Sequence, residues 1–270
     1  MQKVTAIRAL IASAIAAVLA FFGLSFGGVL PAPDLANTSS AAVSTAQPGE
    51  VLYALSQEQD IPDGWQTWDE AWAPEYVSDV GEAVVRYELH GSGQDSITTG
   101  ELDRLGRATW GAGVLTKAAS EAARSDGREE IPQSENPSGW VGNKNATIVQ
   151  PDGETFEGPF WNRSHLVADS FGGHAIRENL IRGTRMQNAG SNDGKGGMQY
   201  CETIARQWIY AHPEGTLYYA ATPLYLGEES IPRAVLVDMR SSDGTVDKEV
   251  VVYNAAKGYT IDYAKGMFID

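Results

Sequence analysis

Cysteine, histidine and basic residues are all scarce in this chain of 270 residues. The single cysteine, Cys201, excludes an intramolecular disulfide and a zinc cluster built from several thiolates. Only four histidines are present, which leaves little material for a histidine-rich metal site. The 20 Lys and Arg against 35 Asp and Glu give a net charge of −15, which argues against a protein that coats nucleic acid by bulk electrostatic attraction.

Charge is also absent from a long N-terminal stretch. Ala9 to Leu30 holds no charged residue, and Lys3 and Arg8 are the only charges before Asp34. A positive head followed by an apolar run is typical of a secretory signal, and this run of 22 residues is also long enough to span a bilayer. Residues 1–30 are therefore predicted to be a signal peptide or a retained membrane anchor, and either one places the rest of the chain outside the cytoplasm.

Residues 31–82 have the composition of an acidic linker or N-terminal extension. Pro31 to Gln47 is rich in Ser, Ala, Thr and Pro, and Glu50 to Glu101 holds twelve acidic residues against one basic residue, Arg86. Three tryptophans lie among these acids: Trp65, Trp68 and Trp72. The tryptophan segment is interpreted either as a solvated spacer with a short docking helix or as a binding site for a partner.

Residues 83–270 alternate between strand and helix patterns, which predicts one α+β domain with a mixed or antiparallel sheet flanked by helices. The clearest helix is Gly197 to His212, where apolar residues recur at spacings of three and four before Pro213 ends the run. A strand is predicted at Ala83 to Leu89, and a partly helical segment at Gly100 to Ala119. Three further strands are predicted at Thr216 to Leu226, Ala234 to Met239 and Lys248 to Tyr253.

Positive charge is concentrated in one stretch of this domain. Phe160 to Tyr210 carries six basic and four acidic residues, a net charge of +2, which leaves −17 for the rest of the chain. Five of the six basic residues are arginines, whose planar guanidinium suits bidentate contact with phosphate. The stretch therefore predicts a local basic groove on an acidic protein, with a fluctuation in surface composition as the alternative.

The same stretch contains the groups that phosphodiester hydrolysis requires. A histidine can take a proton from water near neutral pH, and a divalent cation held by oxygen ligands can stabilise the charge of the leaving oxygen. Candidates for the base, the metal site and the phosphate contact are His165, Asn179, Asn188, Glu202 and Arg206. A lone histidine after a strand, and a Glu–Arg pair four residues apart on a helix, are also ordinary structural features, so spacing alone leaves both interpretations open.

Several motifs occur here in a fixed order: Trp161-Asn162-Arg163-Ser164-His165-Leu166, Asp169-Ser170-Phe171-Gly172-Gly173, Asn179-Leu180 and Gly183-Thr184-Arg185-Met186-Gln187-Asn188. Over residues 83–270 the chain resembles the DNA/RNA non-specific endonucleases, and most of all their secreted streptococcal DNase branch. The resemblance implies a ββα-metal core, in which two strands and a helix surround one Mg²⁺ ion. It also implies a hydrolase that cleaves DNA, RNA or both.

The resemblance assigns a role to each candidate residue. His165 would be the general base, and Asn179 the direct ligand of Mg²⁺, with Mn²⁺ as a possible substitute. Asn188 and Glu202 would hold the waters of the metal and the local loop. Substrate phosphates would be bound by Arg206 at the scissile position and by Arg163, Arg182 and Arg185 around it, although Arg163 is equally interpreted as structural.

Two positions depart from the family pattern. Asn162 stands where the family often has Asp, and Ser164 where it often has Gly, so no carboxylate is assigned a role at position 162. Two other functions also stay open: an inactive nucleic-acid-binding or uptake module on the same fold, and a surface protein that binds a partner through the tryptophan segment. The expected partners are DNA, RNA or both, and a membrane only if residues 1–30 are retained; no protein inhibitor is specified. The expected location is secreted or extracellular.

Overall fold

The computed structural model describes residues 52–57 and 60–269. Twelve strands occur in this part of the chain: β1 (Val77–Gly81), β2 (Thr98–Thr99), β3 (Gly111–Leu115), β4 (Asn145–Val149), β5 (Thr155–Pro159), β6 (Trp161–His165), β7 (Leu180–Thr184), β8 (Leu217–Leu224), β9 (Ala234–Ser241), β10 (Asp247–Tyr253), β11 (Thr260–Asp262) and β12 (Met267–Ile269). Three α-helices accompany them: α1 (Lys117–Asp126), α2 (Arg185–Ala189) and α3 (Gly197–Ala211). The predicted α+β class, with antiparallel strands flanked by helices, is confirmed.

A six-stranded antiparallel sheet forms the centre, in the order β1-β10-β9-β8-β3-β2. Its long strands β8, β9 and β10 lie where the C-terminal strands were predicted, and the turn that joins the last two contains Ser242-Asp243-Gly244. These strands are buried along most of their length, because both faces of the sheet are covered. The predicted helix is also present as α3, which ends at Ala211.

Helix α3 packs on one face of this sheet. Its apolar stripe, formed by Met198, Cys201, Ala205 and Trp208, is buried against Tyr219 and the valines of β9 and β10. The alternation of a strand sends the neighbouring residues of β8, β9 and β10 to the opposite face. That second face carries its own apolar cluster and needs its own cover.

The tryptophan segment supplies this cover. Trp65 and Trp68 pack on a cluster that includes Leu236 and Tyr253. The ring of Trp68 stacks on Tyr76 at a centroid distance of 4.5 Å, and its indole N–H donates to the carbonyl of Ala73 at 2.8 Å. Strand β1 follows and pairs with β10. The expected domain boundary at residue 83 therefore cuts through the folded unit, and residues 60–82 are part of the domain where a linker was expected.

Residues 83–89 cross the same face as an irregular segment, and the strand predicted there is absent. Side chains occupy the backbone N–H groups that a ladder would use: Val84 donates to Asp238 Oδ1 at 2.7 Å, and Arg86 to the hydroxyl of Tyr218 at 3.1 Å. The Arg86 guanidinium forms an ion pair with Asp238 at 3.0 Å and another with Glu249. The alternation of apolar residues in this segment arises because it packs on the sheet, although it is not one of the strands.

The expectation that Gly100–Ala119 is partly helical is wrong for most of that segment. The structure places β3 at Gly111–Leu115, and helix α1 begins only at Lys117. A Cβ atom on Gly111 would lie 3.0 Å from Asn179 Oδ1, and one on Gly113 would lie 2.2 Å from Ile97 Cδ1. These glycines of β3 therefore allow Asn179 and Ile97 to pack closely against the strand.

Strands β6 and β7 form a separate antiparallel ribbon, and α2 follows β7 without a loop. Thr184 begins the helix: its hydroxyl accepts from Gln187 N at 2.9 Å and donates to the carbonyl of Ala255 at 2.8 Å. The backbone N–H of Thr184 donates to Asn254 Oδ1 at 2.8 Å, which ties the junction to the end of β10. Helix α2 packs against β6 and α3. This ribbon and helix are the ββα unit that the resemblance implies.

Two further ribbons, β4-β5 and β11-β12, complete the described structure. They meet near the ββα unit, where Phe268 stacks on Phe160 at 3.8 Å. Among the described residues, no helix combines the length and the apolar character that crossing a membrane requires. The predicted signal peptide or anchor at residues 1–30 lies outside the described residues.

Candidate active site

His165 ends strand β6, and its Nε2 is buried without a hydrogen bond to any described residue. Burial lowers the pKa of the ring to about 4; nearby Asp169 and Glu129 oppose this decrease, while Arg128 and Arg163 add to it. The ring is therefore neutral at physiological pH. A neutral imidazole nitrogen without a partner is the form that accepts a proton.

Asn179 precedes β7, and its side chain is only 1% exposed. Its Oδ1 accepts from Val167 N at 2.9 Å, and its Nδ2 donates to the carbonyls of Val167 at 2.9 Å and His174 at 3.0 Å. The amide thereby holds the loop that follows His165 through three hydrogen bonds to its backbone. This arrangement does not favour the direct metal contact that the resemblance assigns to Asn179, because its donors and acceptor already serve the backbone.

Asn188 lies on α2, beside the ribbon that carries His165. Its side chain is half-buried and makes no hydrogen bond to a residue that the structure describes. An amide oxygen in this state retains both lone pairs for a ligand. The geometry therefore favours Asn188 over Asn179 as the residue that presents an oxygen to a metal.

Glu202 and Arg206 are neighbours on α3, next to its buried stripe. Burial raises the pKa of Glu202 to about 7, and the charge of Arg206 opposes that increase. The guanidinium of Arg206 donates to Ser170 Oγ at 3.0 Å and lies over the ring of Phe171 at 5.5 Å. Arg206 thus reaches the loop after His165, so helix α3 and the ββα unit converge.

Arg182 does not have the substrate contact expected of it. The side chain is 2% exposed, with its guanidinium 4.5 Å from the ring of Trp161 and 5.4 Å from that of Trp140. It donates to the carbonyls of Gly139 and Gly142, and burial lowers its pKa to about 10. Enclosed between two indoles, this cation holds the 139–142 loop, and its burial does not favour the phosphate contact expected of it.

Arg163 has a similar structural position. It donates to the carbonyls of Ile131 at 2.8 Å and Pro132 at 3.2 Å, and it lies 5.9 Å from the ring of Trp140. Arg185 differs, because its half-buried guanidinium lies 5.0 Å from the ring of Phe156 and makes no hydrogen bond to a described residue, while its backbone N–H donates to the carbonyl of Phe160 at 2.8 Å. Of the three arginines predicted to bind substrate, Arg185 is the one whose guanidinium makes no hydrogen bond to a described residue.

Arg128 is a residue that the sequence reasoning missed. It is exposed, and it lines a cleft of about 300 Å³ together with Asp169, Gly173 and His174. The charge of Arg128 also contributes to the lowered pKa of His165, so Arg128 is within electrostatic range of that ring. No motif marked Arg128, because it follows α1 in a polar, turn-rich segment, and only the fold brings it near the ribbon.

The site suits one cation that keeps most of its water. The described residues contain no group of three or more His, Cys, Asp or Glu side chains able to hold a metal. An amide oxygen on Asn188 and a half-buried carboxylate on Glu202 are hard oxygen donors, which Mg²⁺ accepts alongside several waters. The residues present therefore fit a hydrated divalent ion and do not fit a cage of carboxylates.

The ribbon, helix α2 and the antiparallel sheet define the chain as a ββα nuclease fold. It belongs to the DNA/RNA non-specific endonuclease family, whose sequence model matches residues 95–266. The expected family is thereby confirmed.

Three relatives illustrate the likeness. A deoxyribonuclease of Streptococcus dysgalactiae subsp. equisimilis is 32% identical over 212 residues, which cover 67% of this chain and 64% of that protein, so less than two thirds of the relative is matched. A structure of Sda1 nuclease with a bound zinc ion has a TM-score of 0.70 and 34% identity, covering 76% of this chain and 100% of that one. NucA from Streptococcus agalactiae with a magnesium ion bound has a TM-score of 0.52 and 20% identity over 70% of this chain and 83% of that one, and shows the fold alone.

Proposed function

We propose that this protein is an exported, metal-dependent endonuclease that hydrolyses phosphodiester bonds of DNA and RNA. The observation that carries the proposal is His165, a neutral imidazole whose buried Nε2 has no partner among the described residues, at the end of the ββα ribbon. The family, and the name of the deoxyribonuclease relative, support the same chemistry.

His165 is the general base of this mechanism, and Nε2 takes the proton of the attacking water. A pKa near 4 makes the free ring a weak base, held neutral by burial and by two arginines. A bound phosphate brings negative charge beside the ring, which favours the protonated form and raises its pKa. The base therefore becomes stronger when substrate is present.

Asn188 is assigned as the direct metal ligand, and Asn179 as the residue that fixes the loop after His165. Glu202 would hold a water of the ion from α3. Bound Mg²⁺ stabilises the negative charge that develops on the leaving oxygen, and Mn²⁺ is expected to replace it. The zinc-bound and magnesium-bound relatives support a divalent ion without deciding which one this chain uses.

Phosphate contacts come from arginines whose donors are available. Arg206 approaches the loop beside His165, and Arg185 and Arg128 flank the ribbon and the cleft. Arg163 and Arg182 act indirectly, because they hold the 131–142 segment against the ribbon.

Cleavage of plasmid DNA and of RNA, with and without EDTA, tests the proposal. His165→Ala should lower the rate by about 10²–10⁴-fold, the usual contribution of a general base. His212→Ala is the matched control, since that ring is 45% exposed after the end of α3 and does not line the cleft, so it should leave the rate within about twofold. Full activity in EDTA, or in His165→Ala, would instead indicate a different mechanism or an inactive binding module.

Alanine variants of the two asparagines distinguish a role in metal binding from a role in folding. Asn188→Ala should raise the Mg²⁺ concentration needed for half activity and leave the melting temperature unchanged. Asn179→Ala removes three buried hydrogen bonds and should lower the free energy of unfolding by about 2–3 kcal/mol. A stable Asn179→Ala variant with weakened metal binding would return the ligand role to Asn179.

Export is proposed from residues 1–30, which lie outside the described residues. Expression with and without this segment, followed by activity in medium and cell fractions, checks it. Activity that stays inside the cell with the segment present would contradict export, and activity in the membrane fraction would favour a retained anchor.

A further inference from the structure

Gln187 is a fully buried amide that the mechanism above does not use. The side chain is 0% exposed, and neither Oε1 nor Nε2 forms a hydrogen bond with a described residue. Its backbone N–H, by contrast, donates to the hydroxyl of Thr184 as part of the helix cap. An unsatisfied buried polar group destabilises the folded state, so an amide with two such atoms requires an explanation.

Other unpartnered polar groups lie next to this amide. Ser164 Oγ and Asn162 Nδ2 are also buried without a hydrogen bond to a described residue. Asn162 and Ser164 share one face of β6, since residues two apart point the same way. Gly183 lies directly opposite Asn162, and a Cβ atom there would be 2.0 Å from Gln187 Oε1 and 3.0 Å from Ser164 Cβ. The amide of Gln187 therefore lies over Gly183, on the face that carries Asn162 and Ser164.

This grouping has the chemistry of an internal water site. A buried water needs two to four polar partners, and this face offers an amide with donor and acceptor, a hydroxyl and a second amide donor. Glycine at position 183 is required for close approach, because any side chain there would collide with the Gln187 oxygen. The absence of a side chain on Gly183, opposite Asn162, thus leaves the space that the amide of Gln187 occupies.

We propose that Asn162, Ser164 and Gln187 form a hydration site inside the ββα unit, and that Gln187 is a positioning residue for the metal site. Ser164 precedes His165 on β6, and Gln187 precedes Asn188 on α2. Water shared by the two elements links the strand of the base to the helix of the metal ligand and fixes their separation. The positioning role rests on the proposed function, whereas the hydration site does not.

Gln187→Met tests this role, because it keeps the length of the side chain and removes its hydrogen-bonding atoms. We expect Mn²⁺ affinity, followed by electron paramagnetic resonance, to fall about tenfold, in the range that supporting residues of metal sites show. The rate constant kcat should fall by a similar factor, while KM for DNA stays unchanged. Oxygen-17 relaxation dispersion should count fewer long-lived internal waters than in the parent.

Gly183→Ala tests the same site without removing any polar group, since its methyl displaces the Gln187 oxygen. It should reproduce the loss of Mn²⁺ affinity, and Ser164→Ala should give a smaller loss if Gly183→Ala fails to fold. Gln207→Met, on the exposed side of α3, is the matched control, and its Mn²⁺ affinity and number of internal waters should equal those of the parent. Unchanged Mn²⁺ affinity and unchanged internal waters in Gln187→Met would overturn the proposal. A parent that neither cleaves nor binds Mn²⁺ would instead refute the proposed function, and the water count would still test the hydration site.

Discussion

The arginines of this protein fall into two regions with opposite surroundings. On the sheet and its edges, each arginine has a carboxylate partner: Arg86, Arg104, Arg107, Arg233 and Arg240. Around the ribbon and helices, no arginine forms an ion pair with a described residue: Arg124, Arg128, Arg163, Arg177, Arg182, Arg185 and Arg206. Charge is therefore neutralised in the region that supports the fold and left uncompensated in the region of the candidate site.

The difference explains how a chain of net charge −15 could bind the nucleic acid that we propose as its substrate. Acidic residues accumulate in the N-terminal segment, whose tryptophans cover the sheet face opposite helix α3. Arginines without partners accumulate beside His165. Removing residues 31–82 would remove β1 and the tryptophan cover, so we expect it to unfold the domain.

The largest expected effect concerns the paired region, meaning the sheet and its edges, where each arginine has a carboxylate partner. Arg86→Met leaves Asp238 and Glu249 buried without their cation, and breaking a buried ion pair from one side costs about 3–5 kcal/mol. Denaturant titration measures this loss. Arg104→Met is the matched control, because its ion pair with Glu228 is exposed to solvent and contributes little to stability. Equal losses in the two variants would contradict the contrast between buried and exposed pairs.

The loss in Arg86→Met should depend on pH. Burial raises the pKa of Asp238 to about 7, so the folded state holds a proton that the unfolded state has already released. Such a group stabilises the fold at low pH, and this stabilisation disappears as the pH rises through 7. Without Arg86 the variant should therefore be weakest above pH 7.

The cover of the sheet should be the next most sensitive feature. Trp68→Ala removes a stacked, hydrogen-bonded indole and should cost about 2–4 kcal/mol in the free energy of unfolding. Trp72→Ala, whose ring is 47% exposed and lies edge-on to Tyr253, should cost about 1 kcal/mol or less. A harmless Trp68→Ala would show that the segment is a detachable linker after all.

Around the ribbon and helices, where the arginines have no carboxylate partner, Glu202 should control how the reaction rate falls at acid pH. If Glu202 must be ionised and His165 neutral, kcat/KM should fall about tenfold per pH unit below the Glu202 pKa of about 7. Glu202→Gln should lower the plateau and move the limb towards the His165 pKa of about 4. A pH profile from 4 to 9 checks this, and an unmoved limb in the variant would remove Glu202 from the titration.

The smallest expected effect distinguishes two exposed arginines four residues apart. Arg128→Ala should reduce the slope of log binding against log salt by about 0.9 on duplex DNA, the value for one lost phosphate contact. Arg124→Ala should leave the slope unchanged, because Arg124 lies outside the cleft that Arg128 lines. Filter binding across a salt series measures both slopes. Identical slopes would indicate that Arg128 attracts DNA only at long range.

Local pattern was sufficient for part of this molecule. Helix α3 and strands β8 to β10 follow directly from apolar spacing, because that spacing matches a single period and a single buried face. The family, the ββα unit and the stretch that holds His165 follow from ordered motifs. The segments before β3 were less predictable, since their alternation and their glycines reflect neighbours distant in sequence.

By itself, the sequence determined which residues are able to perform the chemistry, because the nature of a base, an amide oxygen or a guanidinium is a local property. Tertiary structure alone decided which of them are available. Burial between Trp140 and Trp161 makes Arg182 structural, and three backbone contacts do the same for Asn179. Exposure beside the cleft makes Arg128 available. Hydrogen bonding and desolvation depend on atoms brought together from remote parts of the chain, and so they cannot be read from the spacing of residues along it.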